Sequence, residues 1–243
     1  MEGAVESGML PLLEAPAPTH TPLELPLRHE QLKDQFTSAA KRNIISLCNL
    51  DPIVFNALTD LTKFSSAVDQ SIQEGKATIH PGAMDEFVVN LHHRLLKAPL
   101  DAYTDINNAC RFASLLYIKT LLRSSEMGWV SVRLASKLRT ALGGVIPSEY
   151  PMPLLCWLCY LGLFGSMPAG DRWTWFASTL IYWYTLRRGQ QPDWISLREE
   201  LLQLPWVPYV HDEPGRTQWQ MVEEVVLFGT QNRITDPRFN YGE

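Results

Sequence analysis

Cys156 and Cys159 stand three apart in PLLCWLCYLGLFGSMP, a spacing able to offer two thiolates to a zinc ion or to form a redox couple. Zinc in a structural site needs four ligands, and no second Cys/His pair of matching spacing follows; His211 is a lone histidine downstream. A redox pair needs a sulfur of lowered pKa near positive charge or a helix N-terminus, whereas the neighbours here are Leu155, Trp157, Leu158 and Tyr160. The pair therefore reads as inert core thiols. Cys48 and Cys110 also lie among apolar residues, and four unevenly spaced cysteines do not make a disulfide framework. Reduced, buried thiols in an intracellular protein are expected, with no bound metal and no cofactor.

The remaining chemistry-bearing residues give no constellation. His92 and His93 are adjacent, so on a helix they diverge by about 100° and cannot jointly face one metal. Asp101 and Asp105 flank a helix start, where carboxylates are favoured. Glu199/Glu200 and Glu223/Glu224 are adjacent acids on amphipathic stretches and are expected to be solvated. The sequence holds no H-E-x-x-H, no G-x-S-x-G, no phosphate loop and no dinucleotide fingerprint. Arg111, Lys119, Arg123, Arg133, Lys137 and Arg139 outnumber the acids around them, but Lys119/Arg123 and Arg133/Lys137 are i,i+4 pairs on outer helix faces. Arg111 differs: it shares a side with Leu115, Ile118 and Leu122, which predicts a half-buried cation with a carboxylate or carbonyl partner. No residue is assigned a catalytic, cofactor-binding or metal-ligating role.

The elements that hold these residues read as helices throughout, with no convincing two-residue alternation. Residues 1–27 carry prolines at 11, 16, 18, 22 and 26 and are expected to be a disordered tail without the basic and apolar regions of a secretory signal. From Arg28 onward Leu32, Phe36, Ala39, Ala40, Ile44 and Leu47 recur at helical spacing. Asp51 and Pro52 fit the cap and first turn of a second helix. Gly75, Pro81 and Gly82 mark a loop, followed by a short helix over MDEFVVNLHHRLLK and a stronger one over INNACRFASLLYIKTLLRS. Val132 to Leu142 form the next helix, which Gly143 and Gly144 are expected to close in a left-handed conformation. The spacing in SLRE, Ser196 to Glu199, suggests a capping box, and a last helix lies around TQWQMVEEVVLFG. The expectation is an all-α, single multi-helix domain of roughly nine packed helices over residues 28–230, with flexible tails at 1–27 and 231–243.

Two uncharged runs, Leu154 to Met167 and Trp173 to Leu186, decide between core and membrane. A spanning helix needs about 20 apolar residues; Pro153 and Pro168 bracket the first run, and Asp171 and Arg172 would fall at membrane depth if the runs were extended. Helices apolar on every side belong at the centre of a domain. The net charge of −5 gives no overall attraction for nucleic acid or acidic lipid, so neither direct nucleic-acid binding nor a membrane is expected.

ACRFASLLYI, Ala109 to Ile118, resembles the A-C-R-x-A-x-L-x-Y-[LI] signature of the fungal-specific transcription factor domain, the helical regulatory region of zinc binuclear cluster regulators. Later landmarks keep the family's order: LLCWLCYLG (Leu154 to Gly162) is similar to its apolar helix, Trp175 and Phe176 to its W-F step, and Leu197 to Trp219 to its closing segment. The resemblance covers about Arg28 to Phe228. It implies a non-enzymatic, nuclear regulator-type domain acting through protein partners, DNA-bound regulators or a second copy among them, or through a small apolar effector. The family's six-cysteine DNA-binding cluster has no counterpart here, since no cysteine precedes Cys48. The alternative is a helical enzyme or carrier with an aromatic cavity in a biosynthetic pathway, against which stands the lack of an aspartate-rich metal motif.

Overall fold

A computed structural model describes residues 45–46, 48–75, 81–97, 105–121 and 129–228. The proline-rich tail, most of the helix read from Arg28, and the C-terminal tail from residue 231 lie outside the described residues. Eight α-helices follow one another: α1 (Pro52–Gln73), α2 (Pro81–Lys97), α3 (Asp105–Leu121), α4 (Trp129–Leu142), α5 (Met152–Phe164), α6 (Asp171–Arg188), α7 (Trp194–Leu201) and α8 (Pro208–Val222). A 3-10 turn, Pro147–Glu149, precedes α5, and a wider π-type turn, Glu223–Phe228, continues α8. The all-α expectation holds, with no strand among the described residues and eight helices there against the roughly nine read from the pattern.

Local chemistry explains the boundaries. The Asp51 carboxylate accepts from the Ile53 N–H at 2.8 Å with Pro52 at the first helical position, as the pattern predicts. The Asp51 N–H in turn donates to Asn107 Oδ1 at 2.8 Å, which ties the start of α1 to α3. Pro81 and Gly82 belong to the first turn of α2 and not to a loop, because a first-turn proline sacrifices no intrahelical bond. The capping box of α7 lies three residues earlier than SLRE suggests: Asp193 is the cap, accepting from the Ser196 N–H at 2.7 Å, while the Asp193 N–H donates to Ser196 Oγ at 3.2 Å. α8 starts at Pro208, well ahead of TQWQ, and continues through Pro214.

Glycine ends two of the helices in different ways. Gly189 closes α6 at φ 73°, the left-handed form that glycine adopts without a Cβ penalty. Gly143 and Gly144 end α4, but neither has a positive φ. A Cβ at Gly144 would meet the Asp105 carboxylate at the start of α3, so a side chain there requires that exposed carboxylate to swing aside.

The centre of the packing is α5, whose residues Met152 to Leu163 are all buried. It lies against α3, α4, α6 and α7, and α3 packs in turn on α1, α2, α4 and α8. All ten residues from Ala109 to Ile118 on α3 are buried. Trp157, Trp173, Trp206 and Trp219 are fully enclosed, each contributing on the order of 1.5–3 kcal/mol by burial. Trp175 is only half-buried. The second uncharged run behaves differently from the first: α6 buries Trp173, Phe176, Ala177, Leu180, Trp183 and Tyr184, but leaves Tyr182 and Leu186 each 62% exposed. Lack of charge does not bury its outer face, because Ser178 supplies an uncharged group that tolerates water there. Among the described residues no helix is long and apolar enough to cross a membrane.

Candidate functional site

The polar chemistry of the interior gathers where α8 meets α3 and α1. Ser65 Oγ donates to the Leu61 carbonyl at 2.6 Å and lies 2.7 Å from the Tyr117 hydroxyl, which is left to donate to it. The Tyr117 ring stacks on His211 at 5.1 Å between centroids, and His211 meets Trp206 on its other side at 4.8 Å. The His211 ring is 1% exposed and held at both nitrogens: Nδ1 is 3.0 Å from the Val207 N–H, and Nε2 is 2.9 Å from Thr120 Oγ1. Because Thr120 Oγ1 donates to the Tyr117 carbonyl at 2.7 Å, its lone pairs face the imidazole. Nδ1 lies 3.0 Å from both the N–H and the carbonyl of Val207, so it accepts from the one or donates to the other according to the tautomer. Burial, the largest cause, lowers the pKa of His211 to about 4, against opposing contributions from Val207 and Asp212.

This arrangement also substitutes for a missing cap. Val207 precedes α8 and has no side-chain oxygen to offer, so the helix start is held by an imidazole one turn in, which reaches back to the Val207 N–H. Around it the four fully enclosed indoles each find an acceptor. Trp157 donates to the Pro205 carbonyl at 2.9 Å, Trp206 to Asp212 at 2.9 Å, Trp173 to Gln218 at 2.8 Å and Trp219 to Glu223 at 2.7 Å. Tyr160 donates to the Gly215 carbonyl at 2.6 Å, and Arg198 closes on Asp212 at 2.8 Å. Four of these six bonds bind α5, α6 or α7 to the Pro205–Gln218 segment, so the polar groups act as ties between helices.

The residues singled out in the sequence fall in separate places. Cys156 and Cys159 are fully buried on α5, and among the described residues no group of three or more His, Cys, Asp or Glu side chains could hold a metal. Burial pushes the Cys110, Cys156 and Cys159 thiols well up and Cys48 to about 11, the opposite of an activated sulfur. His92 and His93 are half-buried neighbours on α2. Asp105 sits exposed in the first turn of α3, as expected, while Asp101 and Arg123 lie outside the described residues.

Two expectations need correction. Glu200 is not solvated: it is 5% exposed, and its carboxylate pairs with Arg188 at the end of α6, because α7 turns this face onto α5 and α6. Glu223 is likewise engaged, as the acceptor for Trp219. Arg111 is more than half-buried, at 3% exposed, and its guanidinium donates to the Leu96 carbonyl at 3.2 Å, the carbonyl partner that its position on α3 demands. Its charge also reaches α4: the Lys137 ammonium is lowered in pKa by burial first, then by Arg133 and Arg111, and the Lys137 and Arg111 cations lie 5.7 and 5.9 Å from the Phe112 ring centroid. The role of His211 escaped sequence reading. Its signal is the spacing Val207–Pro208–His211, a proline at the first helical position with a side chain able to reach back from the same turn.

Comparison with protein-family models, with curated proteins and with solved structures returned no match.

Proposed function

We propose that this chain is a non-enzymatic helical regulatory domain, nuclear in location, that takes part in transcription control through protein partners. The motifs that resemble the fungal-specific transcription factor domain occupy positions consistent with this. Ala109 to Ile118 form the buried heart of α3, Leu154 to Gly162 that of α5, and Trp175 and Phe176 lie on α6. Leu197 to Trp219 run through α7 and α8, and these elements pack around one another. The observation that carries the reading is the inward use of polar groups: Trp157, Trp173, Tyr117, Tyr160 and His211 are spent on tying separate segments together. What such a domain offers its surroundings is the outer faces of its helices, the property of a docking module.

Tethering tests this directly. Fused to an unrelated DNA-binding domain, the full chain is expected to change transcription from a reporter bearing that domain's site, and proximity labelling should mark DNA-bound regulators. A silent reporter together with labelling confined to cytosolic metabolic enzymes overturns the proposal in favour of a helical enzyme or carrier.

A further inference from the structure

We infer that the outer face of α4 is a docking surface for an acidic helix of a partner protein, whose carboxylates, one turn apart, pair with Arg133 and Lys137. At about 100° per residue, Trp129, Arg133, Ser136, Lys137 and Thr140 fall within a stripe about 100° wide. Trp129, Arg133, Ser136 and Thr140 are exposed and Lys137 is half-buried, while Val130, Leu134, Leu138 and Ala141 on the other side enter the core. None of the 14 residues of α4 is acidic.

Among the described residues the two cations of this stripe have no counter-ion: Asp60, Glu200 and Asp212 form their ion pairs with Lys63, Arg94, Arg188 and Arg198, away from α4. Each cation rests on an aromatic ring instead. The Arg133 guanidinium lies 5.7 Å from the Trp129 ring centroid, and the Lys137 ammonium 5.7 Å from that of Phe112. These contacts hold the charges in place without neutralising them. Burial first, then Arg133 and Arg111, lowers the pKa of Lys137, so the surroundings of this ammonium are electropositive. An anion brought here gains from both cations and relieves their mutual repulsion. Arg139 is set apart, 5.3 Å from the Trp175 ring centroid on the flank toward α6, with Asp171 one helical turn from that ring.

Spacing and surroundings select the anion. Arg133 and Lys137 stand one turn apart, about 6 Å along the axis, which is the separation of carboxylates at i and i+4 on a second helix. Ser136 and Thr140 are small, so the backbone of that helix can come close between the charges. Trp129, 51% exposed, offers an aromatic face one turn before Arg133 and takes an apolar side chain of the partner. Antiparallel docking puts the partner's acids in its own first turns, where carboxylates are favoured, and its apolar residue one turn later. A nucleic acid suits the face less well, because its charge continues past two cations onto a chain whose net charge is −5. The surface rests on the docking role proposed above and gives the partner a chemistry; peptide binding is measured without a reporter, so either reading can fail alone.

The probe is a blocked, alanine-based peptide of about 16 residues, with glutamate at its fourth and eighth positions and leucine at its twelfth. Labelled with a fluorophore and titrated with the full chain at low salt, it is expected to bind saturably, and added salt should weaken it. The double variant Arg133→Glu, Lys137→Glu should bind it about tenfold or more weakly. A peptide with lysine in place of both glutamates should bind that double variant and not the parent, a rescue that a merely misfolded variant would not give. Trp129→Ser should also weaken the glutamate peptide, and because Trp129 is exposed that variant should keep its unfolding midpoint. A chain that ignores the glutamate peptide, binding unchanged in the double variant, or a lysine peptide that fails to bind the double variant overturns the assignment. So does a single-stranded oligonucleotide that the parent binds more tightly than the peptide and the double variant releases.

Discussion

Lowering the pH should destabilise this protein through His211. The ring is buried and neutral, with a pKa of about 4 against an ordinary 6.5. As pH falls below 6.5 the unfolded chain takes up a proton that the folded chain refuses, so stability declines with falling pH and levels off only below about 4. The gap is about 2.5 pH units, and at about 1.4 kcal/mol per unit it removes about 3 kcal/mol, a substantial share of the 5–15 kcal/mol that typically holds a domain folded. Urea unfolding followed by tryptophan fluorescence at a series of pH values measures this loss. His211→Gln keeps a donor for Thr120 and removes the titration. It should be less stable at neutral pH, since the imidazole fills the space between Tyr117 and Trp206. Its stability between pH 6.5 and 4 should nonetheless be flatter than that of the parent by the same 3 kcal/mol or so. Acidic groups titrate alike in both proteins and cancel in the difference. Parallel pH curves for the two proteins, or a His211 ring that titrates by NMR above pH 6, would refute the reasoning.

Three further outcomes are expected. The four thiols should resist an aromatic disulfide reagent at pH 8 in the folded protein and react together once urea unfolds it, because burial both blocks access and raises their pKa values; rapid labelling of Cys156 or Cys159 in the native state would contradict their place in α5. Gly162→Ala should cost about 1–3 kcal/mol in denaturant unfolding, since the added methyl overlaps the Phe176 ring where α5 meets α6. Asp193→Ala should cost about 0.5–2 kcal/mol by removing the cap of α7, and Asp193→Asn should recover most of it.

How far the sequence could be read follows from the range of each interaction. Asp51–Pro52 announces a helix start through atoms within one turn, and the start is where the pattern puts it. The cap of α7 was displaced because Ser196 can serve as either member of a capping box, and only the side chain that the first helical N–H groups reach decides between Ser196 and Asp193. The pattern puts the last helix around TQWQ, beyond Pro214 and Gly215, yet α8 passes through both. Its other bonds persist, and Gly215 lets the helix lie against Trp194, whose ring a Cβ would approach to 2.7 Å. That close approach depends on residues some twenty positions away, which no local pattern can carry.

The same distinction separates the legible from the illegible parts of the polar seam. Absence of charge identifies α5 as central, because a helix with no polar face has nowhere else to go. Glu200 and His211 look like ordinary surface residues, since their partners, Arg188 and Thr120, come from other helices. A buried ion or imidazole is stable only when the tertiary structure supplies those partners. The consequence bears on function: the polar residues that could be mistaken for a site are the ones most committed to the fold.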